Sequence, residues 1–250
     1  MKVALFPTCV VDALVPAVGV STVRLLRRLG HEVIVPEAAT CCGQPAWNAG
    51  HAAAAAMVAR TTLAALHDCD AEAVVVPAGS CATMLRVFWR ELFTLHGDAA
   101  ARSQVEALRA RTYELSEFLD RFGTPPTRHP DATPSVYHRS CHMLRELRLE
   151  QEPERVLDST AADRRVAEGA GRCCGFGGLF SVKLPETSTA MADDVLDAMA
   201  ATGAQRVVGC DSSCLAHLRG RAERRGLALQ FRHLATVVDA ATADGGGRPG

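Results

Sequence analysis

Eight of the ten cysteines in this 250-residue chain form a pattern that occurs twice. In each half, 31 residues separate one cysteine from an adjacent pair, a glycine follows the pair, and 38 or 39 residues separate the pair from a fourth cysteine. Cysteines that were buried by chance would not repeat this spacing, so the pattern indicates a shared chemical role. The eight residues are Cys9, Cys41, Cys42 and Cys81 in the first half, and Cys141, Cys173, Cys174 and Cys214 in the second.

Thiolates bind soft metals and take part in redox reactions. Structural disulfides form chiefly in oxidising compartments, which this chain gives no sign of entering. The thiols therefore predict a metal or redox site. Iron–sulfur clusters are favoured over zinc, because two adjacent cysteines strain a tetrahedral zinc site. Three alternatives stay open: a structural zinc site, buried free thiols, and a disulfide within either adjacent pair.

The overall composition argues against several other functions. The formal net charge is −1 and aromatic residues make up 5% of the chain, so no nucleic-acid-binding surface is expected. Pro7, Asp12 and Pro16 interrupt the apolar N-terminal segment, which argues against a signal peptide. No uncharged apolar stretch reaches the roughly 18 residues that a membrane span needs. We expect a cytoplasmic protein without a membrane span.

The segments around the cysteines repeat as well. The run KVALFPTC, which ends at Cys9, matches PSVYHRSC, which ends at Cys141. The run AVVVPAGSC, which ends at Cys81, matches RVVGCDSSC, which ends at Cys214. Short β-branched runs that alternate with helix-like segments are typical of parallel sheets with helical crossovers. The sequence therefore predicts an α/β fold with two pseudo-symmetric repeats, each a small parallel-rich sheet with flanking helices.

The repeats are placed at 1–125 and 134–243, with the proline-rich stretch 123–134 as their linker. Residues 244–250 are expected to form a flexible tail. In the first repeat we expect strands at 2–6, 31–35 and 73–76, and helices at about 12–29, 50–67 and 81–95.

In this arrangement the repeated cysteines lie where a strand ends and the chain leads into a helix. The carboxyl ends of parallel strands share one edge of the sheet, where ligands of open α/β folds bind. The first N–H groups of the following helices point to the same edge and stabilise negative charge, such as that of a thiolate-bound cluster. Gly43 and Gly175 are expected to supply the turn that lets two adjacent thiols reach one cluster.

These motifs resemble the CCG-type cysteine-rich domain family. The family includes a cysteine-rich component of heterodisulfide reductase and iron–sulfur subunits of glycolate and glycerol-3-phosphate oxidation systems, and the likeness is greatest to its lactate utilization members. The stretches that carry the resemblance follow one another along nearly the whole chain: KVALFPTCVVD, PEAATCCGQPAWNAG, PAGSCATM, YELSEFL, SCHMLREL, CCGFGGLFSVK and CLAHLRGR.

The resemblance implies cluster binding and a role in oxidising L-lactate to pyruvate. It also implies two partners, a ferredoxin-like iron–sulfur protein and a third subunit, beside which this chain would transfer electrons. The chain contains no C-x2-C-x2-C-x3-C run and no visible flavin or nicotinamide signature, which is consistent with that division. The alternatives are a cluster-containing subunit that acts on a thiol, a disulfide or another hydroxy acid such as glycolate, and a non-enzymatic zinc-binding scaffold.

The chain departs from the heterodisulfide reductase pattern at two positions. In that pattern each half ends in C-x2-C and offers five cysteines, whereas this chain has Ala78 and Asp211 at the earlier position of each motif. Four cysteines per half remain, which is enough for one or two [4Fe–4S] clusters in the chain. Cys210 and His142 are weaker additions to the ligand set.

The remaining cysteine and two further histidines are expected to have structural roles. Cys69 has no cysteine at the equivalent position of the second half, and we expect a small buried thiol there. His138 and His233 are expected to be structural or surface histidines.

Overall fold

The computed structural model describes residues 1–160, 162–169 and 171–243, so the tail expected at 244–250 lies outside the described residues. The elements of the first half are, in chain order, β1 (Lys2–Leu5), α1 (Cys9–Leu14), α2 (Pro16–Arg28), β2 (Glu32–Ile34), α3 (Gln44–Asn48), α4 (Ala52–Asp68), β3 (Ala73–Val76), α5 (Gly79–Thr83), a π-helical segment (Met84–Phe88), α6 (Trp89–Leu95), α7 (Ala99–Arg109), β4 (Thr112–Glu114) and α8 (Leu115–Phe122).

The second half repeats the alternation of strands and helices. Its elements are β5 (Ser135–His138), a π-helical segment (His142–Leu147), α9 (Glu152–Asp158), β6 (Arg164–Arg165), α10 (Leu179–Lys183), α11 (Pro185–Ala200), β7 (Arg206–Gly209), α12 (Ser212–Arg224), β8 (Gln230–His233) and α13 (Leu234–Thr242).

Each half contains a four-stranded parallel sheet. The strand orders are β2-β1-β3-β4 and β6-β5-β7-β8, so corresponding strands occupy corresponding places. The register agrees as well, because Val3 pairs with Ala73 in the first sheet and their counterparts Ser135 and Arg206 pair in the second. The predicted α/β class with two repeated parallel sheets is therefore confirmed.

The central strands are buried along their whole length. All four residues of β3 and all four of β7 are buried, as expected for parallel strands with helices on both faces. One apolar cluster extends across both halves and joins Val75 and Phe118 to Tyr137, Val208 and Val238. The two sheets therefore share a core. The repeat limits 1–125 and 134–243 stay a prediction.

Polar contacts also tie the end of the second half to the start of the first. Helix α13 packs against α2. The Asp239 carboxylate accepts a hydrogen bond from the Ser21 hydroxyl at 2.9 Å and pairs with the Arg28 guanidinium at 2.7 Å. These groups are largely buried, so the contact fixes how the two halves meet.

Two predicted helices differ from those observed. The helix expected at 12–29 is two helices, α1 and α2, because Pro16 has no N–H group for a helical hydrogen bond and begins a new helix instead. The helix expected at 81–95 begins earlier, at Gly79, and contains the π-helical segment Met84–Phe88. Among the described residues, no helix is long and apolar enough to cross a membrane.

Candidate metal centres

The structure brings the four repeated cysteines of the first half together. Cys9 begins α1, the pair Cys41 and Cys42 lies in the loop between β2 and α3, and Cys81 lies in α5. The Cys9 Sγ lies 3.6 Å from the Cys41 Sγ, and the Cys42 Sγ lies 3.2 Å from the Cys81 Sγ. We call these four side chains the first thiol group.

The second half assembles an equivalent set, which we call the second thiol group. The Cys173 thiol is in hydrogen-bonding contact with those of Cys141 and Cys174, and Cys174 is in contact with Cys214. All ten cysteines of the chain are free. The eight repeated cysteines thus form two groups of four, while their role as cluster ligands stays a prediction.

A glycine in a left-handed conformation shapes the turn after each cysteine pair. Gly43 has φ of 83° and Gly175 has φ of 84°, which L-residues rarely adopt. The N–H of each glycine donates a hydrogen bond of 3.5 Å to a thiol sulfur, that of Cys41 in one case and Cys173 in the other. The prediction that these two glycines supply a permissive turn is confirmed.

Space also requires glycine at these two positions. A Cβ atom at Gly43 would lie 2.8 Å from the carbonyl oxygen of Ala55, and one at Gly175 would lie 2.4 Å from that of Ser188. Both carbonyls belong to the next long helix, α4 or α11, so the turn holds the cysteine pair directly against that helix.

The thiol groups concentrate negative charge. The pKa of Cys41 is lowered to about 3 because Cys42 and Cys9 donate hydrogen bonds to its sulfur. The pKa of Cys173 is lowered to about 2 by Cys141 and Cys174 in the same way. Conversely, the pKa of Cys9 is raised by its hydrogen bond to Cys41. Each group holds one thiolate readily, and ionising all four thiols requires a positive charge among them, which a bound metal centre provides.

The distances between the sulfur atoms can be compared with those in a metal site. Four donors around one zinc ion lie about 3.8 Å apart, since each zinc–sulfur bond is about 2.3 Å. Within the described part of the chain, the first half has no three metal-binding atoms that all lie within 4.8 Å of one another. The sulfurs of its two contacting pairs, 3.6 and 3.2 Å apart, lie near that spacing, so the first group is compact enough to bind metal.

The second thiol group contains an additional side chain, His138. A ring nitrogen of His138 and the sulfurs of Cys174 and Cys214 all lie within 4.8 Å of one another. His138 is 1% exposed, and burial lowers its pKa to about 4, so the imidazole is neutral. The sequence-based expectation for His138, a structural or surface role, did not place it beside the thiols, and its role stays a prediction. The available signal was its place at the end of β5, where the equivalent residue of the first half is Phe6.

Asp211, at a position where the five-cysteine pattern has a thiol, holds two helices. Its Oδ1 accepts hydrogen bonds from the N–H of Ser213 at 3.2 Å and from the Ser213 hydroxyl, which caps α12. Its Oδ2 accepts a hydrogen bond of 2.9 Å from the N–H of Ser80 in α5 of the other half. One buried carboxylate therefore holds the helices that carry Cys81 and Cys214.

Cys210 lies outside both thiol groups. It is 1% exposed in the core shared by the two halves, and its sulfur accepts a hydrogen bond of 3.4 Å from the Tyr137 hydroxyl. Burial raises the pKa of Cys210 well above its usual value, so the thiol is neutral. Cys69 is half-buried and its thiol donates to the Leu66 carbonyl oxygen at 3.1 Å.

The histidines differ from one another in their surroundings. His142 has its Nδ1 3.8 Å from the Cys141 sulfur and its Nε2 3.2 Å from the Gln44 side-chain nitrogen, which links the two halves. His233 caps α13, with its Nδ1 accepting a hydrogen bond of 3.1 Å from the N–H of Ala235. The expected structural role of His233 therefore matches the structure.

The fold and the two thiol groups define an α/β protein built from two copies of a small cysteine-rich domain. The family model of the CCG cysteine-rich domain matches residues 3–86 and again residues 135–219. Each match begins in the first strand of a half and ends just beyond its fourth cysteine. The chain belongs to the CCG cysteine-rich domain family, as its motifs indicated.

Relatives named lactate utilization protein A resemble the chain over nearly their full length. One from Exiguobacterium sp. is 38% identical over 240 residues, which cover 95% of this chain and 97% of the relative. One from Geobacillus kaustophilus is 40% identical over 247 residues, with 96% and 99% covered. One from Bacillus pumilus is 39% identical over 242 residues, also with 96% and 99% covered.

Proposed function

We propose that this protein is a cytoplasmic iron–sulfur electron-transfer subunit of a multi-protein system that oxidises L-lactate to pyruvate. The observation that carries the proposal is the pair of thiol groups, each of four cysteines at the edge of a parallel sheet. The name shared by its relatives, lactate utilization protein A, supports the choice of lactate as the substrate of the system.

The residues of each thiol group fit a [4Fe–4S] cluster in number and chemistry. Four thiolates are the usual ligand set, and such clusters, when bound, accept and pass on single electrons. The N–H groups of Gly43 and Gly175 donate to thiol sulfurs, and hydrogen bonds of this kind tune the potential of a cluster. Two cysteines of each group are buried and two are partly exposed, so each group lies just below the protein surface.

The two thiol groups are joined by a short series of contacts. His142 follows Cys141 directly and touches Gln44, which lies two residues after Cys42. Helix α5, which carries Cys81, packs on the π-helical segment that follows Cys141. This close approach favours electron exchange between two centres within one molecule.

Oxidation of lactate removes two electrons together with protons, whereas clusters pass electrons singly. A cofactor that accepts the pair therefore has to belong to another subunit. We propose that a ferredoxin-like iron–sulfur protein and a third subunit complete the system, and that this chain relays electrons between them.

The test is to replace one buried cysteine in each half. Cys42→Ala and Cys174→Ala should each lower the iron and acid-labile sulfide content of anaerobically purified protein. In a strain that lacks the native gene, both variants should fail to restore growth on lactate. The matched control is Cys69→Ala, outside both thiol groups, which should keep the metal and restore growth. Unchanged iron in both Cys42→Ala and Cys174→Ala would rule out the proposed ligands.

A further inference from the structure

The two thiol groups differ in one buried side chain that can bind a metal. His138 ends β5 in the second half, and Phe6 follows β1 at the equivalent place in the first, each three residues before the first cysteine of its group. Both side chains are buried, with 0% of Phe6 and 1% of His138 exposed. The same position therefore presents a hydrocarbon ring to one thiol group and an imidazole to the other.

The imidazole of His138 has no protein partner. Neither of its ring nitrogens makes a hydrogen bond to any described residue. Leaving a buried polar group unpaired costs about 1–3 kcal/mol, so such groups are rare without a functional reason. A phenylalanine would avoid this cost, and the first half has one at the equivalent position.

The surroundings of His138 identify what the imidazole would bind. One ring nitrogen lies within 4.8 Å of both the Cys174 and the Cys214 sulfur, and these three ligand atoms converge. A neutral imidazole beside two thiols is a common metal-binding set. His233 is also buried and leaves its Nε2 without a partner, but its Nδ1 caps α13, whereas both ring nitrogens of His138 are without a partner among the described residues.

We propose that His138 is a nitrogen ligand of the metal centre held by the second thiol group, which makes that centre chemically different from the all-cysteine first centre. The inference rests on the proposed iron–sulfur function and adds a residue to it. With His138, the second half offers five donor side chains, against four in the first.

A difference in ligands predicts a difference in reduction potential. Imidazole is neutral and thiolate is anionic, so histidine ligation raises the potential of an iron–sulfur centre relative to cysteine ligation. The second centre should therefore be reduced first when the protein is titrated with a reductant. An electron that enters at the first centre would then pass to the second.

Pulsed EPR of the reduced protein tests this ligand directly. The protein is purified anaerobically with and without 15N-labelled histidine, and its iron and sulfide are measured on the same samples. We expect a strong hyperfine coupling to histidine nitrogen, of the size given by a directly bound nitrogen. The coupling should be lost in His138→Phe, which copies the first half, and in His138→Gln. It should persist in His142→Phe, which alters the other histidine near a thiol.

Each contrary result has a separate meaning. Iron and sulfide with no strong histidine coupling, or a coupling that survives both His138 substitutions, would overturn the proposal for His138 and leave the cluster function standing. Loss of the coupling in His142→Phe but not in His138→Phe would overturn it as well. Protein without iron or sulfide would overturn the proposed function itself.

Discussion

The first and second halves of the molecule share what is needed to hold a metal centre and differ in what surrounds it. Both have the same strand order, four cysteines at the same places and a left-handed glycine after the adjacent pair. They differ at four buried positions: Phe6, Pro77, Ala78 and Glu114 of the first half correspond to His138, Cys210, Asp211 and His233 of the second.

This difference shows that the repeat determines the framework but not the chemistry at its centre. Two of the four corresponding positions, those of Phe6 and Ala78, are apolar in the first half and polar in the second. Asp211 even supplies a cap to a helix of the other half, through the N–H of Ser80. The two centres are therefore expected to be equal in number of cysteines and unequal in electronic properties.

The largest effect should come from removing one thiol of either group. Cys81→Ala should abolish the first centre, where only three donor side chains remain. Cys214→Ala should abolish the second, because the thiolate that is lost is one of the two that converge with His138. Each variant should keep about half the iron and sulfide of the unaltered protein. EPR of the reduced variants should then show one centre each, with different spectra. Loss of all the metal from either single variant would contradict the independence of the two sites.

The two turn glycines should differ in their tolerance of alanine. A left-handed conformation costs a non-glycine residue about 1–2 kcal/mol, and crowding adds about 1–3 kcal/mol. A Cβ atom at position 175 would lie 2.4 Å from a backbone oxygen, whereas one at position 43 would lie 2.8 Å away. Gly175→Ala should therefore lower the free energy of unfolding more than Gly43→Ala. Urea unfolding of the metal-free protein measures this difference.

A matched control separates crowding from backbone strain at these turns. Gly50 has φ of 81°, close to that of Gly43 and Gly175, and a Cβ atom added there would meet no atom within 4 Å. Gly50→Ala should therefore cost only the conformational part, about 1–2 kcal/mol. Equal losses for Gly175→Ala and Gly50→Ala would show that contact with the Ser188 carbonyl contributes nothing.

The equivalent caps Glu114 and His233 should give the metal-free protein opposite pH dependences. Burial raises the pKa of Glu114 from 4.5 to about 7, so the folded state favours the protonated acid. The stability that protonated Glu114 gives to the folded state is complete below pH 4.5. About 3 kcal/mol of it is lost as the pH rises to 7. Burial lowers the pKa of His233 from 6.5 to about 4, so the folded state favours the neutral imidazole. The stability that this imidazole gives to the folded state is lost as the pH falls from 6.5 to about 4.

Substitution of Glu114 isolates the pH dependence of stability that this residue causes. Glu114→Gln should make the metal-free protein more stable than the unaltered chain at about pH 8, while the two should differ little near pH 4.5. Urea unfolding at several pH values measures the effect, and Glu91→Gln, at an exposed position on α6, is the control. A variant that is no more stable at the higher pH would show that Glu114 is not held in its protonated form.

The smallest expected effect concerns the shared cap at Asp211. A lost N-cap costs about 1 kcal/mol, and Asp211 serves two helices, so Asp211→Ala should cost about 2 kcal/mol. Asp98→Ala, which removes the cap of α7 and a partly exposed ion pair with Arg60 that contributes little, should cost about 1 kcal/mol. Chemical unfolding of the metal-free variants compares the two. A loss at Asp211 no larger than at Asp98 would mean that the contact with Ser80 adds nothing to stability.

Much of the framework could be predicted because it depends on local patterns. The buried runs around β3 and β7, the repeated cysteine spacing and the two turn glycines all leave a direct signal in the sequence. The break at Pro16 also had a signal, which the predicted single helix overlooked. The roles of His138 and Asp211 could not be predicted, since they depend on which way a side chain points and on a contact between residues 131 positions apart.

The central claim is that the chain holds two iron–sulfur centres, one in each thiol group. The most direct measurement is the iron, acid-labile sulfide and zinc content per chain after strictly anaerobic purification, with an EPR spectrum of the reduced protein. The account predicts about eight iron and about eight sulfide per chain, as for two [4Fe–4S] clusters, and two distinguishable signals. Zinc with no sulfide would contradict it and would indicate a structural zinc scaffold instead.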